Sequence, residues 1–360
     1  ASLVTLVTQA KAISSLESLT LSERIANAAR GMFTYIGQMF YPVTLAPFYP
    51  LPADGPGVAT TVLFVALFFG LTGGALLVRR RSPYVTVGWL WYVVMLVPVS
   101  GLIQAGAQAH ADRYTYLPHI GLYVIAAWAA VDVFGRRRYA RPILSTAAAV
   151  VILAAAAQAW RQTRIWRDSE ALWRHALAVT EPNYISHGSL ARFLCSKRRV
   201  AEAVPHFEAA LAIRPDDVAF HKNVAAGLVQ LGRPAEAIAH LEKALEIEPN
   251  DSHAQADLAW VCATSPESSM RDGARALRLA QSAIAGRGER TPSLLRTLSA
   301  AHAEIGEFAE AIEAAREALQ LAKGLGQKDV VEALESVIRG YELARLVRNA
   351  SHDRDDMEAD

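Results

Sequence analysis

Cysteine is scarce in this chain, with Cys195 and Cys262 far apart and no C-x-x-C spacing. A four-ligand zinc site cannot be built from that pair alone, so both read as buried free thiols. A charge excess is missing as well, since 36 Lys and Arg stand against 35 Asp and Glu. A nucleic-acid binder shows a basic surplus, so no nucleic-acid partner is expected. No phosphate loop, G-x-S-x-G turn or His pair at metal-binding helical spacing occurs, and no metal or cofactor is evident. The chain opens on Ala1 without an initiator Met, and lacks a basic segment leading into an apolar signal core. Residues 1–9 read as the last turns of a helix whose start is missing, so the expectation is a fragment lacking an upstream part.

Apolar residues are plentiful and unevenly spread: 52% of the 360 residues are hydrophobic and 20% charged. That length suggests two or three domains. Four apolar stretches, 57–78, 85–103, 117–134 and 142–160, approach the ~20 residues that cross a ~30 Å hydrocarbon core. Four in a row with short polar connections predict a transmembrane domain over 57–160 with four spans. Arg79, Arg80 and Arg81 follow the first span, and Arg136, Arg137, Arg138 and Arg141 lie between the third and fourth. Positive loops stay cytoplasmic, which turns the 104–116 loop outward and makes the part after residue 160 extracytoplasmic. Arg161, Arg164, Arg167 and Arg174 oppose that bias. The expectation is an integral membrane protein. Residues 1–56 carry Phe33, Tyr35, Phe40, Tyr41, Pro42 and Phe48-Tyr49-Pro50. They read as an interfacial, juxtamembrane segment or as an ordinary connector.

From about 167 the sequence repeats itself. Pro215 and Pro249 are 34 apart, as are Ala203 and Ala237, and Ala210 and Ala244. This is the period of the tetratricopeptide repeat (TPR), in which small residues let paired helices approach and a large apolar residue fills the space between repeats. Repeat one carries Leu190, Ala191, Leu194, Ala203, Phe207 and Ala210. Repeat two carries Val224, Ala225, Leu228, Gly232, Ala237, Leu241 and Ala244. Repeat three carries Leu258, Ala259, Cys262, Ala276, Ala280 and Ala283, with about five extra residues around 265–272. Repeat four carries Leu298, Ser299, His302, Gly306, Ala311, Ala315 and Ala318. A half-repeat with Trp173, Ala176 and Pro182 leads, and 329–347 reads as a capping helix. The fold class is therefore all-α: polytopic transmembrane helices, then a TPR α-solenoid over 161–347, then a disordered acidic tail at 348–360.

Two sets of residues are candidates for binding. Counting along the first helix of each pair, Arg192, Lys222, Trp260 and Arg296 face the groove of the solenoid. Three cations and an indole suit an acidic or extended peptide; scattered surface residues are the alternative. The second set is the polar loop His110-Ala-Asp112-Arg113-Tyr114-Thr-Tyr116. Arg113 can fork onto a phosphate, and Asp112 can orient Arg113 or act as a base. Tyr114 and Tyr116 suit an interface, and a solvated loop is the alternative.

The run Asp112-Arg113-Tyr114-Thr-Tyr116-Leu117-Pro118-His-Ile-Gly121 ahead of a span resembles the (E/D)R-x-x-YLP-x-x-G segment of the transmembrane-and-TPR O-mannosyltransferases and their bacterial relatives. The order of spans, motif, further spans, Trp166-Arg-Asp168-Ser and repeats matches too. Arg24-Ile-Ala-Asn27 and the 41–50 segment are similar to what precedes the late spans there. The resemblance implies a polytopic GT-C-type glycosyltransferase that takes a polyprenyl-phosphate sugar on the outer membrane face and transfers it to protein hydroxyls. It implies Arg113 as the lipid-phosphate contact, with His110, Asp112 and Tyr116 beside it. The family's catalytic acidic residue sits in a first outer loop that no part of this chain matches, so no catalytic residue is assigned. Two readings stay open: part of a membrane glycosyltransferase whose repeats bind an acceptor protein, and a non-catalytic membrane-anchored scaffold.

Overall fold

The computed structural model describes residues 20–51, 57–100, 108–135, 138–180 and 182–359, with side chains to 346. The chain divides into two compact units, 1–193 and 194–360. The expected helix end at residues 1–9 lies outside the described residues.

The first unit opens with α1 (Leu21–Phe40), started by a capping box in which Thr20 and Glu23 satisfy each other's backbone N–H. Then come α2 (Val58–Leu77), α3 (Pro83–Leu96), a 3₁₀ turn (Val97–Val99), α4 (Pro118–Phe134), α5 (Ala140–Ile165), α6 (Ser169–Val179) and α7 (Tyr184–Ser196). Prolines at the first turns of α3 and α4 need no backbone donor there. Among the described residues, α2 and α5 are long and apolar enough to cross a membrane, while α3 and α4 are shorter apolar helices. Among the described residues one short antiparallel pairing, β1 (Tyr49–Pro50) with β2 (Gln108–His110), interrupts the helices.

Tyr35, Ala75, Trp89, Tyr92 and Leu96 form the core of this unit, with Met32, Phe68 and Ile125 packed against them. Polar groups tie the same helices. Tyr92 donates to the Met32 carbonyl at 2.6 Å, Trp89 Nε1 to Thr72 Oγ1 at 2.9 Å, and Thr86 to the Ala75 carbonyl at 2.6 Å. Where α3 meets α4 there is room for no side chain at all. A Cβ on Gly88 would overlap the Gly121 carbonyl oxygen, and a Cβ on Gly121 the Gly88 carbonyl oxygen. Backbone against backbone is the contact that paired small residues permit.

The second unit continues α7 from Leu194, which is followed by α8 (Val200–Ile213), and holds the helix pairs α9 (Val218–Gln230) and α10 (Pro234–Ile247), α11 (Ser252–Thr264) and α12 (Gly273–Arg287), and α13 (Pro292–Glu304) and α14 (Phe308–Gly324), then α15 (Lys328–Ala359). The small and large positions read from the repeat are buried: Ala203, Phe207 and Ala210; Ala237, Leu241 and Ala244; Ala276, Ala280 and Ala283; Ala311, Ala315 and Ala318. Cys262 is buried as expected, whereas Cys195 is only half-buried.

The 34-residue period extends to hydrogen bonds. Asp217 caps α9 by accepting the Phe220 N–H, and Asp251 caps α11 by accepting the Ala254 N–H. His221 Nε2 meets the Pro215 carbonyl at 2.9 Å, and Gln255 Nε2 donates to the Pro249 carbonyl at 2.8 Å. His and Gln are interchangeable there because each presents one N–H at that reach. The expanded turn of repeat three holds a 3₁₀ turn (Ser268–Met270), closed by Asp272 N–H donating to the Cys262 carbonyl and by Arg271 pairing with Glu304. The segment from 348 expected as a disordered tail instead continues α15 to Ala359. No Pro or Gly follows Gly340 to stop that helix.

One turn departs from the pattern. Gly232 closes the turn of repeat two at φ +73, and 34 residues earlier Arg198 holds φ +60. A residue with a Cβ pays about 1 kcal/mol for that conformation. Arg198→Gly is expected to raise the melting temperature of the repeat unit by a few degrees, read by circular dichroism. A lowered melting temperature would show that the Arg198 side chain holds the turn.

Candidate functional site

The 108–116 segment is stitched into the first unit from two sides. Its Ala111 N–H donates to Tyr35 Oη at 3.1 Å, and Asn27 Nδ2 donates to the Ala109 carbonyl at 3.0 Å. Asp112 faces inward. Oδ1 accepts from Gln38 Nε2 at 2.9 Å, and Oδ2 accepts from the Ala46 N–H and Tyr49 Oη at 3.0 Å each. Burial pushes its carboxyl above the usual range, and the hydrogen bonds from Tyr49, Gln38 and Ala46 oppose that push. Asp112 therefore staples α1 and the 44–50 loop to this segment. The expectation that it orients Arg113 is corrected, because its oxygens are occupied by other donors.

His110 also faces inward. Its ring stacks on Tyr49 with centroids 4.0 Å apart and meets Tyr35 edge-on at 5.7 Å. Burial, then the nearby Arg30 charge, lowers its pKa to about 4, so the ring is neutral near pH 7. Its Nε2 is buried without a hydrogen-bond partner among the described residues. Arg113 and Tyr116 turn the other way. Arg113 is exposed, donates to Gln108 Oε1 at 3.4 Å and lies 5.0 Å over the Tyr114 ring. Tyr116 is 77% exposed. The four residues expected to form one site are thus split, two inward and two outward, by the 3₁₀ turn Asp112–Thr115.

The inward side borders two cavities. An apolar slot of about 230 Å³ is walled by Ile25, Met32, Phe68, Phe69, Leu96 and Val97. A polar cleft of about 480 Å³ is lined by Asn27, Arg30, Thr34, Gln38 and Tyr49 among others. The two share Gly31, Ala109 and His110. A Cβ on Gly31 would meet nothing within 4 Å. Arg30 and Gly31 escaped the reading of the sequence. They sit side by side on an amphipathic helix, and only the fold shows that this face looks into two spaces of opposite polarity. No Asp or Glu is among the described residues lining the cleft.

The second candidate set lies on the repeats. Trp260 and Arg296 come together, with the guanidinium 4.4 Å from the ring centroid. Lys222 is tied to Asp251 at 2.6 Å. Arg192 donates to Ser189 Oγ at 3.1 Å on its own helix. The expected run of open cations is corrected in one respect, since the Lys222 charge is neutralised at the cap of α11.

A tetratricopeptide-repeat family model matches residues 194–260, and a second matches 153–218. With the buried positions above, these matches assign the repeats over 153–260. The repeats are tetratricopeptide repeats. The chain is also similar, over part of its length, to Protein O-mannosyl-transferase Tmtc2 of Drosophila melanogaster, at 25% identity over 37% of this chain and 14% of the relative. It is 30% identical to Protein O-mannosyl-transferase TMTC1 of Mus musculus, over 44% of this chain and 17% of the relative. The matched part is thus under a fifth of either relative. Among solved structures, the TPR protein YrrB, described as having an unusual peptide-binding site, covers 54% of this chain and 92% of its own, at 17% identity and a TM-score of 0.37. TTC0263, a TPR protein of Thermus thermophilus, covers 51% of this chain and 94% of its own, at 19% identity and a TM-score of 0.38.

Proposed function

We propose that this chain belongs to a membrane glycosyltransferase-like protein, handling a lipid-linked sugar in its helical unit and a protein in its TPR unit. In this reading the four apolar helices cross a bacterial inner membrane and the repeats lie outside the cytoplasm. The apolar side chains support it. Phe69 on α2 and Val150, Val151, Ile152 and Leu153 on α5 are at least 60% exposed, a surface that water disfavours and hydrocarbon accepts.

The observation that carries the proposal is the junction at Gly31 and His110. A polyprenyl phosphate needs an apolar bed for its first isoprene units and a polar, cationic recess for its phosphate. The slot and the cleft supply these side by side, with the cation at Arg30. His110 Nε2 is available to a ligand oxygen once its ring holds a proton there. The lipid-phosphate role thereby moves from Arg113, which lines neither cavity, to Arg30 and His110.

The test uses the chain in nanodiscs with a short-chain polyprenyl phosphate as probe, read by native mass spectrometry. Gly31→Leu places a side chain in the junction from a position where an added Cβ meets nothing within 4 Å, and is expected to weaken binding at least ~10-fold, about 1.4 kcal/mol. Arg113→Ala is expected to leave binding unchanged. Equal binding by wild type and Gly31→Leu would remove the lipid from this site. The scaffold reading draws on the lack of a carboxylate among the described residues lining the cleft, and it gains if the probe does not bind at all.

A further inference from the structure

Between α9 and α11 the repeats enclose a slot of about 210 Å³, lined by Ala226, Val229, Leu241 and Trp260 among others, with Asp257 as its charged residue. Asp257 is exposed. Unlike Lys222 and Asp251, it makes no hydrogen bond or ion pair among the described residues. The surrounding walls push its carboxyl above the usual range, against the pull of His253 and Lys222. Asn223 holds the equivalent position 34 residues earlier, half-buried and without a hydrogen bond among the described residues.

We propose that this slot takes a lysine or arginine side chain from an extended protein segment. The aliphatic stem lies against Ala226, Val229 and Trp260, and the cationic head reaches Asp257. Charge decides the occupant. An acidic side chain would bring a second carboxylate to Asp257, while the nearby cations are engaged elsewhere, Lys222 by Asp251 at 2.6 Å and Arg296 over the Trp260 ring at 4.4 Å. A purely aliphatic side chain would fill the slot and leave Asp257 facing apolar groups with its charge unmatched. Lysine and arginine stems cover apolar surface while their heads seek a partner. Asn223 carries both a donor and an acceptor, which suits the backbone of a segment running along the same face.

The inference rests on the proposal that the repeats bind protein, and not on the lipid site. Its test uses the full chain in nanodiscs and three fluorescein-labelled octapeptides of Ala and Ser, differing only in a central Lys, Leu or Glu. Fluorescence anisotropy is expected to rank Lys first, about tenfold tighter than Glu. Asp257→Asn should reduce that preference below about threefold, and Asp257→Lys should reverse it. Melting temperatures of both variants are expected to match wild type, since Asp257 supports no other residue. Gly31→Leu should leave all three affinities unchanged, which separates this result from the lipid test. A Leu peptide binding as tightly as Lys, a tighter Glu peptide, or no binding by any of the three would overturn the assignment.

Discussion

Gly121→Leu is expected to undo the packing of α3 on α4. The Gly121 backbone lies so close to Gly88 that even a methyl group would overlap a carbonyl oxygen, and Trp91 Cδ1 would stand 3.1 Å away on a second side. Neither obstacle is the free end of a flexible chain, so the helices must separate. Overpacking costs about 1–3 kcal/mol where neighbours can adjust. Here the neighbour is backbone, so Gly121→Ala should fall near the top of that range and Gly121→Leu beyond it. Melting in detergent, with size-exclusion elution as a second readout, checks this. Gly31→Ala in the same unit is the control, because its Cβ meets nothing within 4 Å and it should leave the melting temperature nearly unchanged. Comparable melting of all three would mean that α3 and α4 do not meet as described.

Asp112→Ala is the second large effect, and its direction separates a structural carboxylate from a chemical one. The substitution strands the Gln38 amide and removes the charged acceptor of the Ala46 N–H and Tyr49 hydroxyl. Tyr49 can still donate to the Thr44 carbonyl, and the Ala46 N–H to Tyr49 Oη, so part of the loss is recovered. Hydrogen bonds to charged groups contribute about 1.5–3 kcal/mol each, and a net loss of about 2–4 kcal/mol is expected. Asp112→Asn should lie between, since one acceptor oxygen remains. Unfolding by denaturant, followed through the tryptophans, measures it. A variant as stable as wild type would return Asp112 to the list of candidate bases.

The repeat half was legible because its period repeats a packing problem. Each Ala or Leu named from the spacing serves the same contact in every copy, and position alone identifies it. Arg198 shows the limit, since it adopts the turn conformation that Gly232 announces in the next repeat without being a glycine. The helical unit was legible in its apolar stretches, which coincide with α2 to α5, but not in its site. A motif read in one dimension placed Asp112 beside Arg113, whereas a 3₁₀ turn sends neighbouring side chains apart. Gly121, the last residue of that motif, turned out to mark a helix crossing. Arg30 and Gly31 had no signal of their own, because a cavity wall is composed by elements far apart in the chain.

Helix α5 carries a further implication. At 26 residues and a rise of 1.5 Å each it is about 39 Å long, longer than the ~30 Å thickness of a hydrocarbon core. Near its C-terminal end Gln158 donates to the Pro42 carbonyl and Gln162 to the Leu45 carbonyl. Four residues apart, they share one face of the helix. An apolar helix has no preferred side of its own, and these two amides fix its azimuth against the loop that Asp112 grips. The loop is thereby held from two sides, by α5 through the Pro42 and Leu45 carbonyls and by Asp112 through the Ala46 N–H.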